Sequence, residues 1–303
     1  MTVVVRAPAK VNLVLVVGRP GDDGYHPLNT VYQAISLYDD VHVHDAEEWS
    51  VTVKPIGEVD CSGVPLDETN IVLRAGRLLT EHHGADHAAR VEIHKGIPVA
   101  GGLAGGSADA AATLVALDRL WDLQTPDEDL LALARRLGSD VPFALVGGTA
   151  HGRGHGELVE PVQDAGSYWW VVVPSDEGLS TPAVYREYDR LCPDLSTRWH
   201  LSDPVDVLVA ADAGLHDRLA EGMRNDLQEA ALSLRPELRA RMALVEDHHD
   251  DTVMLSGSGP TIVAIADSQD VAHETRAALL EAGLPTVLVA TGPVAGAHLV
   301  DLA

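Results

Sequence analysis

Lysine is nearly absent from this chain: Lys10, Lys54 and Lys95 are the three in 303 residues. Twenty-one Lys and Arg face 46 Asp and Glu, a net charge of −25. Such a field repels nucleic acid and anionic membrane alike, so neither is an expected partner. It also makes any local group of anion-binding donors conspicuous, because that group works against the field of the whole chain.

Cysteine is scarce too. Cys61 and Cys192 lie far apart in the sequence, without metal-ligand or CxxC spacing, which argues for a reduced, cytoplasmic protein. No apolar run approaches the roughly 18 residues of a membrane-spanning helix, and "MTVVVRAPAK" lacks the apolar core of a signal peptide. No fixed-period repeat of a solenoid occurs. Among the aromatics, one Phe and six Tyr are present, so each Tyr at a motif carries weight. The familiar phosphate, hydrolase and zinc motifs are missing as well: there is no Gly-Lys pair, no GxGxxG, no GxSxG and no HExxH. Histidines gather in "EHHGADH" and "EDHHDD", stretches whose composition suits solvated loops better than metal sites.

What remains is ordinary globular composition, 46% apolar and 22% charged, in a chain long enough for two domains. β-Branched runs flank Pro8 in "TVVVRAPAKVNLVLVVG", and "VHVHD" and "WSVTVKP" alternate, so the chain opens with antiparallel or mixed strands. "TNIVLRAGRLLTEHHG" predicts a helix that ends near Gly84, with Thr69 offered as its cap and Asn70, taken alone, also of the type found at helix N-termini. "ARVEIHKGIP" is another short strand. A helix is expected from Ser107, as N-cap, to about Trp121, and the next has Thr125 as its cap and Pro126 in its first turn. Residues 147–156 read as a turn-rich hairpin, "YWWVVVP" as a strand, residues 204–247 as helices, and "DTVMLSGSGPTIVAIAD" as strand, turn, strand. "VAHETRAALLEAG" is a helix and "PTVLVAT" a closing strand. The expected division falls near residue 160, giving domains 1–160 and 161–303.

The densest signal is "PVAGGLAGGSADAAATL" at 98–114. Glycines between a strand and a helix let backbone N–H groups converge on an anion, with the positive end of the helix dipole behind them. Phosphate is the natural ligand. Ser107 could cap the helix, reach a phosphate oxygen or hold a metal ion.

This stretch resembles the phosphate loop of the GHMP kinases, and "RAPAKVNLVLVV" and "MLSGSGPTIVAI" are similar to that family's first and third motifs. The three blocks, in order, span nearly the whole chain. Ala100, Ala104 and Ala108 stand where the family often has Gly, Gly and Ser. The resemblance implies an α+β, two-domain GHMP kinase fold, with an N-terminal mixed α/β domain carrying ATP, a C-terminal ferredoxin-like domain and the active site between them. It further implies ATP as co-substrate with Mg²⁺, and phosphoryl transfer to a small alcohol. The segments "RPGDDGYHPLNTVYQ", "TNIVLRAGRLL", "LGSDVPFALVGGTAHGRGHGE" and "GLSTPAVY" resemble the branch whose acceptor is a cytidylyl methylerythritol. Mevalonate or homoserine as acceptor, or a regulator that binds without turnover, are the alternatives.

Residue by residue, the resemblance implies Asp140 as base and Lys10 as its cationic partner. It assigns ATP to Asn70, near the adenine, and to Pro98, Val99, Ala100, Gly101, Gly102, Leu103, Ala104, Gly105, Gly106, Ser107 and Ala108, with Ser107 on the metal. Asn12, two residues from Lys10 and so on the same strand face, is assigned to the substrate with Tyr25, His26, Thr181 and Tyr185. The two tyrosines would stack on the base. Whether "SGSGPT" at 256–261 touches phosphate or only supports the first loop is left open, and a monomer or a homodimer is compatible with all of this.

Overall fold

The computed structural model describes residues 2–99, 101–175, 177–193 and 204–300. Strand β1 (Thr2–Val17) is buried along nearly its whole length and pairs antiparallel with β2 (Leu28–Ala46). Its β-branched residues suit a strand covered on both faces. The pairing register shifts twice, between Pro8 and Ala9 and between Asn12 and Val14. The first shift accommodates a residue with no N–H to give the ladder. Together the two bracket Lys10, and shifts of this kind re-aim side chains beside a site.

Beyond β2 lie β4 (Ala88–Lys95) and, parallel to it, β3 (Ser50–Pro55). The 147–156 stretch opens the expected hairpin, β5 (Thr149–Arg153) with β6 (Leu158–Val162), which extends the sheet through β2. Four helices accompany this sheet among the described residues: α1 (Ile71–His83), α2 (Gly105–Trp121), α3 (Asp127–Leu137) and the short α4 (Val141–Val146). The alanines of α2 are buried without remainder, which lets it lie close across β1 and β2 and beneath α1.

Three helix caps differ from the sequence expectation. Asn70, not Thr69, caps α1, its side chain accepting from Val72 N at 3.0 Å; Thr69 instead bonds Asp67. Thr125 does not cap α3, which starts after Pro126. Its hydroxyl bonds Asp118 and so ties the start of α3 to α2. Ser107 is not a cap either, because α2 begins two residues earlier, after Ala104.

After β6 the chain enters a second sheet through β7 (Tyr168–Val173), followed by α5 (Thr181–Leu191), α6 (Val205–Asp212) and α7 (His216–Gly222). The two-residue β8 (Arg224–Asn225) returns to pair parallel with β1, and α8 (Gln228–Leu234) and α9 (Glu237–Glu246) follow. Then come β9 (Val253–Leu255), β10 (Ile262–Ala266), α10 (Gln269–Glu281) and β11 (Leu288–Gly292). The four sheet strands are antiparallel in the order β11-β7-β10-β9. In chain order that is 4-1-3-2, the ferredoxin-like arrangement. A last strand too short to be legible in sequence, β12 (His298–Leu299), pairs with β1.

Strand β7 belongs to two cores at once. Tyr168, Trp170 and Val172 join the cluster under the first sheet, whereas Val171 and Val173 join the one formed with α5, α8, α9 and α10. Alternation of side chains across a strand produces this division directly. A buried hydrogen bond fastens the seam: Trp170 Nε1 donates to Gln33 Oε1 at 2.9 Å, and Gln33 Nε2 donates on to Asp164 at 3.1 Å. No helix among the described residues is long and apolar enough to cross a membrane.

Candidate active site

A cleft of about 650 Å³ opens between the glycine stretch, the bulged middle of β1 and the start of α5. Its floor is the N-terminus of α2. Ala104, at φ 58°, reverses the chain into the helix without any side-chain cap, so the first N–H groups of α2 carry no protein acceptor from that position. Gly105, Gly106 and Ser107 line the cleft there. A Cβ on Gly106 would meet nothing within 4 Å, so the wall is open at that point. Uncapped N–H groups, the helix dipole and the absence of side chains fit a phosphate. The Ser107 hydroxyl and the Asp140 carboxylate are hard oxygen donors of the type that Mg²⁺ takes, and both line the same cleft.

The 256–259 turn touches the loop itself. Ser256 Oγ donates to Gly102 O at 3.1 Å and Thr261 N to Gly101 O at 3.2 Å. Gly102, at φ 80°, leaves no room for a side chain, since a Cβ would lie 2.2 Å from Ser256 O. Gly257, Ser258 and Gly259 also line the cleft. Support and lining are thus both functions of this turn.

A buried ion cluster holds the loop from below. Lys95 Nζ donates to Asp39 Oδ2 at 2.5 Å and to Asp109 Oδ2 at 2.8 Å, while Asp39 Oδ1 accepts from Gly96 N and Ile97 N. Burial pulls the Lys95 ammonium toward giving up its proton, but Asp109 and Asp39 outweigh burial and hold the proton more firmly than in an ordinary lysine. Asp109 Oδ1 is buried with no partner. Lys95 and Asp109 both line the cleft. The sequence reading assigned neither a role; the signal was there in the scarcity of lysine.

Opposite this floor stands Lys10, 5% exposed. Its ammonium donates to Asn12 Oδ1 at 2.6 Å, and Asn12 Nδ2 donates to Thr30 Oγ1 at 2.8 Å. Both ends of the Asn12 amide are therefore engaged, and it fixes the direction of Lys10. Burial lowers the pKa of Lys10, partly offset by Asp140. Asp140 occupies the N-cap position of α4 yet makes no capping bond, so its carboxylate remains available to the cleft. Burial, with Asp140 beside it, pushes the Tyr32 phenol well up, and Tyr185 is raised for the same two reasons. Both therefore stay protonated. Tyr32 was not singled out in the sequence.

The residues expected at the base divide into two groups. Tyr185 and Thr181 line the cleft with Leu15, Leu28 and Leu179. Thr181 Oγ1 lies 2.8 Å from Ser258 Oγ, which joins α5 to the glycine turn. His26 sits behind Tyr185, ring centroids 5.0 Å apart, with Nδ1 2.8 Å from Gly18 O. Tyr25 is 65% exposed and packs on His155, 5.2 Å between rings. The structure unites His26 with Tyr185 but leaves Tyr25 apart. Asn70 lines the cleft, although its amide is occupied as a helix cap and by Pro65 O at 2.6 Å. Pro98 and Val99 line it too. Leu103 and Ala108 have fully buried side chains, so only their backbone can serve a ligand, and Ala100 lies outside the described residues.

Ala104 holds a left-handed conformation that costs a Cβ-bearing residue about 1–2 kcal/mol. Ala104→Gly should therefore raise the unfolding free energy by up to about 1 kcal/mol in urea titration, after the extra chain entropy of glycine is subtracted. A loss of stability would show that Ala104 is not strained.

Comparison with known proteins agrees with this geometry. The family models for the GHMP kinases N terminal domain and GHMP kinases C terminal match residues 70–148 and 207–284. A 4-diphosphocytidyl-2-C-methyl-D-erythritol kinase of Nocardioides sp. is 57% identical over 98% of this chain and 100% of its own, and one of Rhodococcus jostii is 49% identical over 99% and 95%. The crystal structure of a 4-(cytidine 5'-diphospho)-2C-methyl-D-erythritol kinase superposes with a TM-score of 0.74 at 32% identity, covering 96% of this chain and 98% of that one. A homoserine kinase from Cytophaga hutchinsonii, 20% identical with a TM-score of 0.76 over 99% and 97%, shares the fold. With the uncapped helix end, the three motif blocks and full-length likeness in agreement, the chain belongs to the GHMP kinases, in the family of the 4-diphosphocytidyl-2-C-methyl-D-erythritol kinases.

Proposed function

We propose that this ATP-dependent kinase transfers the γ-phosphoryl group of ATP to the 2-hydroxyl of 4-diphosphocytidyl-2-C-methyl-D-erythritol, in the methylerythritol phosphate route to isoprenoids. The observation that carries the proposal is one cleft holding both an uncapped, glycine-lined helix end and the set Lys10, Asn12 and Asp140. The full-length likeness to relatives of that name selects the acceptor.

In this reading the backbone of 98–108 cradles the ATP phosphates, Asn70 lies toward the adenine, and domains 1–160 and 161–303 form the two walls. Ser107 would hold Mg²⁺, which when bound would offset phosphate charge in a chain with little positive charge of its own. Asp140 orients the acceptor hydroxyl and takes its proton late, as the O–P bond forms, because a carboxylate is too weak a base to remove it first. Lys10, aimed by Asn12, stabilises charge on the transferring group. Asn12 Oδ1 has a second lone pair for a substrate hydroxyl. Tyr185, Thr181 and His26 receive the cytidylyl end. Tyr25 joins them only if its loop turns in from His155. Each of these residues comes from one chain, so the reaction needs no second protomer in either a monomer or a homodimer. No disulfide joins Cys61 and Cys192, which supports a cytoplasmic setting.

Asp140→Asn keeps the shape and removes the base. It should lower kcat by about 10²–10⁴-fold in steady-state kinetics, with KM for ATP little changed. A variant with nearly full kcat would remove Asp140 from the mechanism. The buried Lys10 adds a pH signature. Its pKa lies below the ordinary 10.5, so kcat/KM should fall on an alkaline limb centred below that value. In the same window the unfolded chain binds the proton more tightly than the folded one, so raising the pH relieves the cost of burying the charge. The unfolding free energy of wild type relative to Lys10→Met should thus rise while activity falls. Parallel loss of both would contradict the burial argument.

A further inference from the structure

Away from the cleft, one member of the "EDHHDD" stretch meets two residues from other segments. His216 opens α7, Asp251 precedes β9 and Asp267 follows β10. Nδ1 of His216 lies 2.7 Å from Asp267 Oδ1 and 3.6 Å from Asp217 Oδ1, and Nε2 lies 4.0 Å from Asp251 Oδ2. One donor atom from each of His216, Asp251 and Asp267 falls within 4.8 Å of the others.

A second observation concerns the imidazole itself. Both ring nitrogens are buried and neither has a hydrogen-bond partner; Asp267 Oδ1 is close but not placed to accept from Nδ1. A neutral imidazole needs a donor's partner at one nitrogen and an acceptor's at the other, and leaving both unmet in the interior is costly. A cation takes the lone pair of one nitrogen without an N–H. Ligands at about 2.0–2.2 Å from one metal stand roughly 3 Å from each other, so the near contact of His216 with Asp267 is of the right order.

We propose that His216, Asp251 and Asp267 form a binding site for a divalent transition-metal cation. One imidazole with two carboxylates suits Mn²⁺ or Zn²⁺. Asp267 is 63% exposed, which leaves coordination positions for water and a route of entry. The site stands at the base of the β9–β10 hairpin, whose other end is the glycine turn at 256–259 that lines the cleft. At about 3.3 Å per residue, β10 separates the two by roughly 17 Å. The cation is therefore a clamp: it ties α7 to the hairpin, where Thr252 Oγ1 already bonds Ala220 O at 2.8 Å, and steadies the strand pair that braces the phosphate loop.

The test uses chelator-treated, nucleotide-free, full-length protein with Mn²⁺ as probe, following histidine ring signals by NMR and the thermal midpoint. The proposal predicts that substoichiometric Mn²⁺ broadens the His216 signals before those of His42 and His94, and that the midpoint rises by several degrees. Asp267→Ala, an exposed position that the fold tolerates, should weaken Mn²⁺ binding at least about tenfold, and His216→Gln should abolish the thermal shift. ADP release by Asp267→Ala with MgATP alone should match wild type. If Mn²⁺ leaves the His216 signals sharp, or binds Asp267→Ala as it binds wild type, the cluster is an imidazolium held by carboxylates and the proposal fails.

Discussion

The buried contact of Lys95 with Asp39 and Asp109 is the constraint on which the site depends. Ionisable groups removed from water cost several kcal/mol each unless they satisfy one another, and a cluster missing one member is strongly destabilising. The arrangement therefore exists in one geometry. That geometry joins β2, β4 and α2, and the two N–H groups given to Asp39 fix the chain at the entry to the glycine stretch. The 256–259 turn clamps the same stretch from the other domain. A loop with almost no side chains of its own is thus held by its surroundings, and its N–H groups are left for a ligand.

Positive charge in so acidic a chain is placed with economy. Of three lysines, Lys54 pairs with Glu92 at the surface at 2.8 Å, Lys95 is consumed by structure, and Lys10 alone faces the cleft with a neutral partner. The helix end supplies the rest of the positive potential through backbone dipoles, which need no basic residue. Repulsion of anions by the bulk and attraction of anions at one spot are then compatible.

Much of the fold was legible because it follows periodicity. The apolar run "YWWVVV" marks β7, although its division between two cores emerges only in the structure, and the glycine run marks the start of α2. The site blocks were legible through their resemblance to a family. Cap positions were not, since Thr69, Asn70, Thr125 and Ser107 are all chemically able to cap and only the packing of neighbouring turns chooses among them. Asp39 and Asp109 were invisible for a related reason: they lie 70 residues apart and acquire meaning only when Lys95 comes between them. Tyr25 was legible as a motif residue, yet the structure turns it toward His155, a contact between two loops that no local pattern encodes.

The direct test of the account is ADP release by purified protein with MgATP against 4-diphosphocytidyl-2-C-methyl-D-erythritol, mevalonate and homoserine. Turnover confined to the cytidylyl acceptor is the predicted result. Turnover on either other alcohol, or ATP bound without ADP release on any of the three, would contradict it.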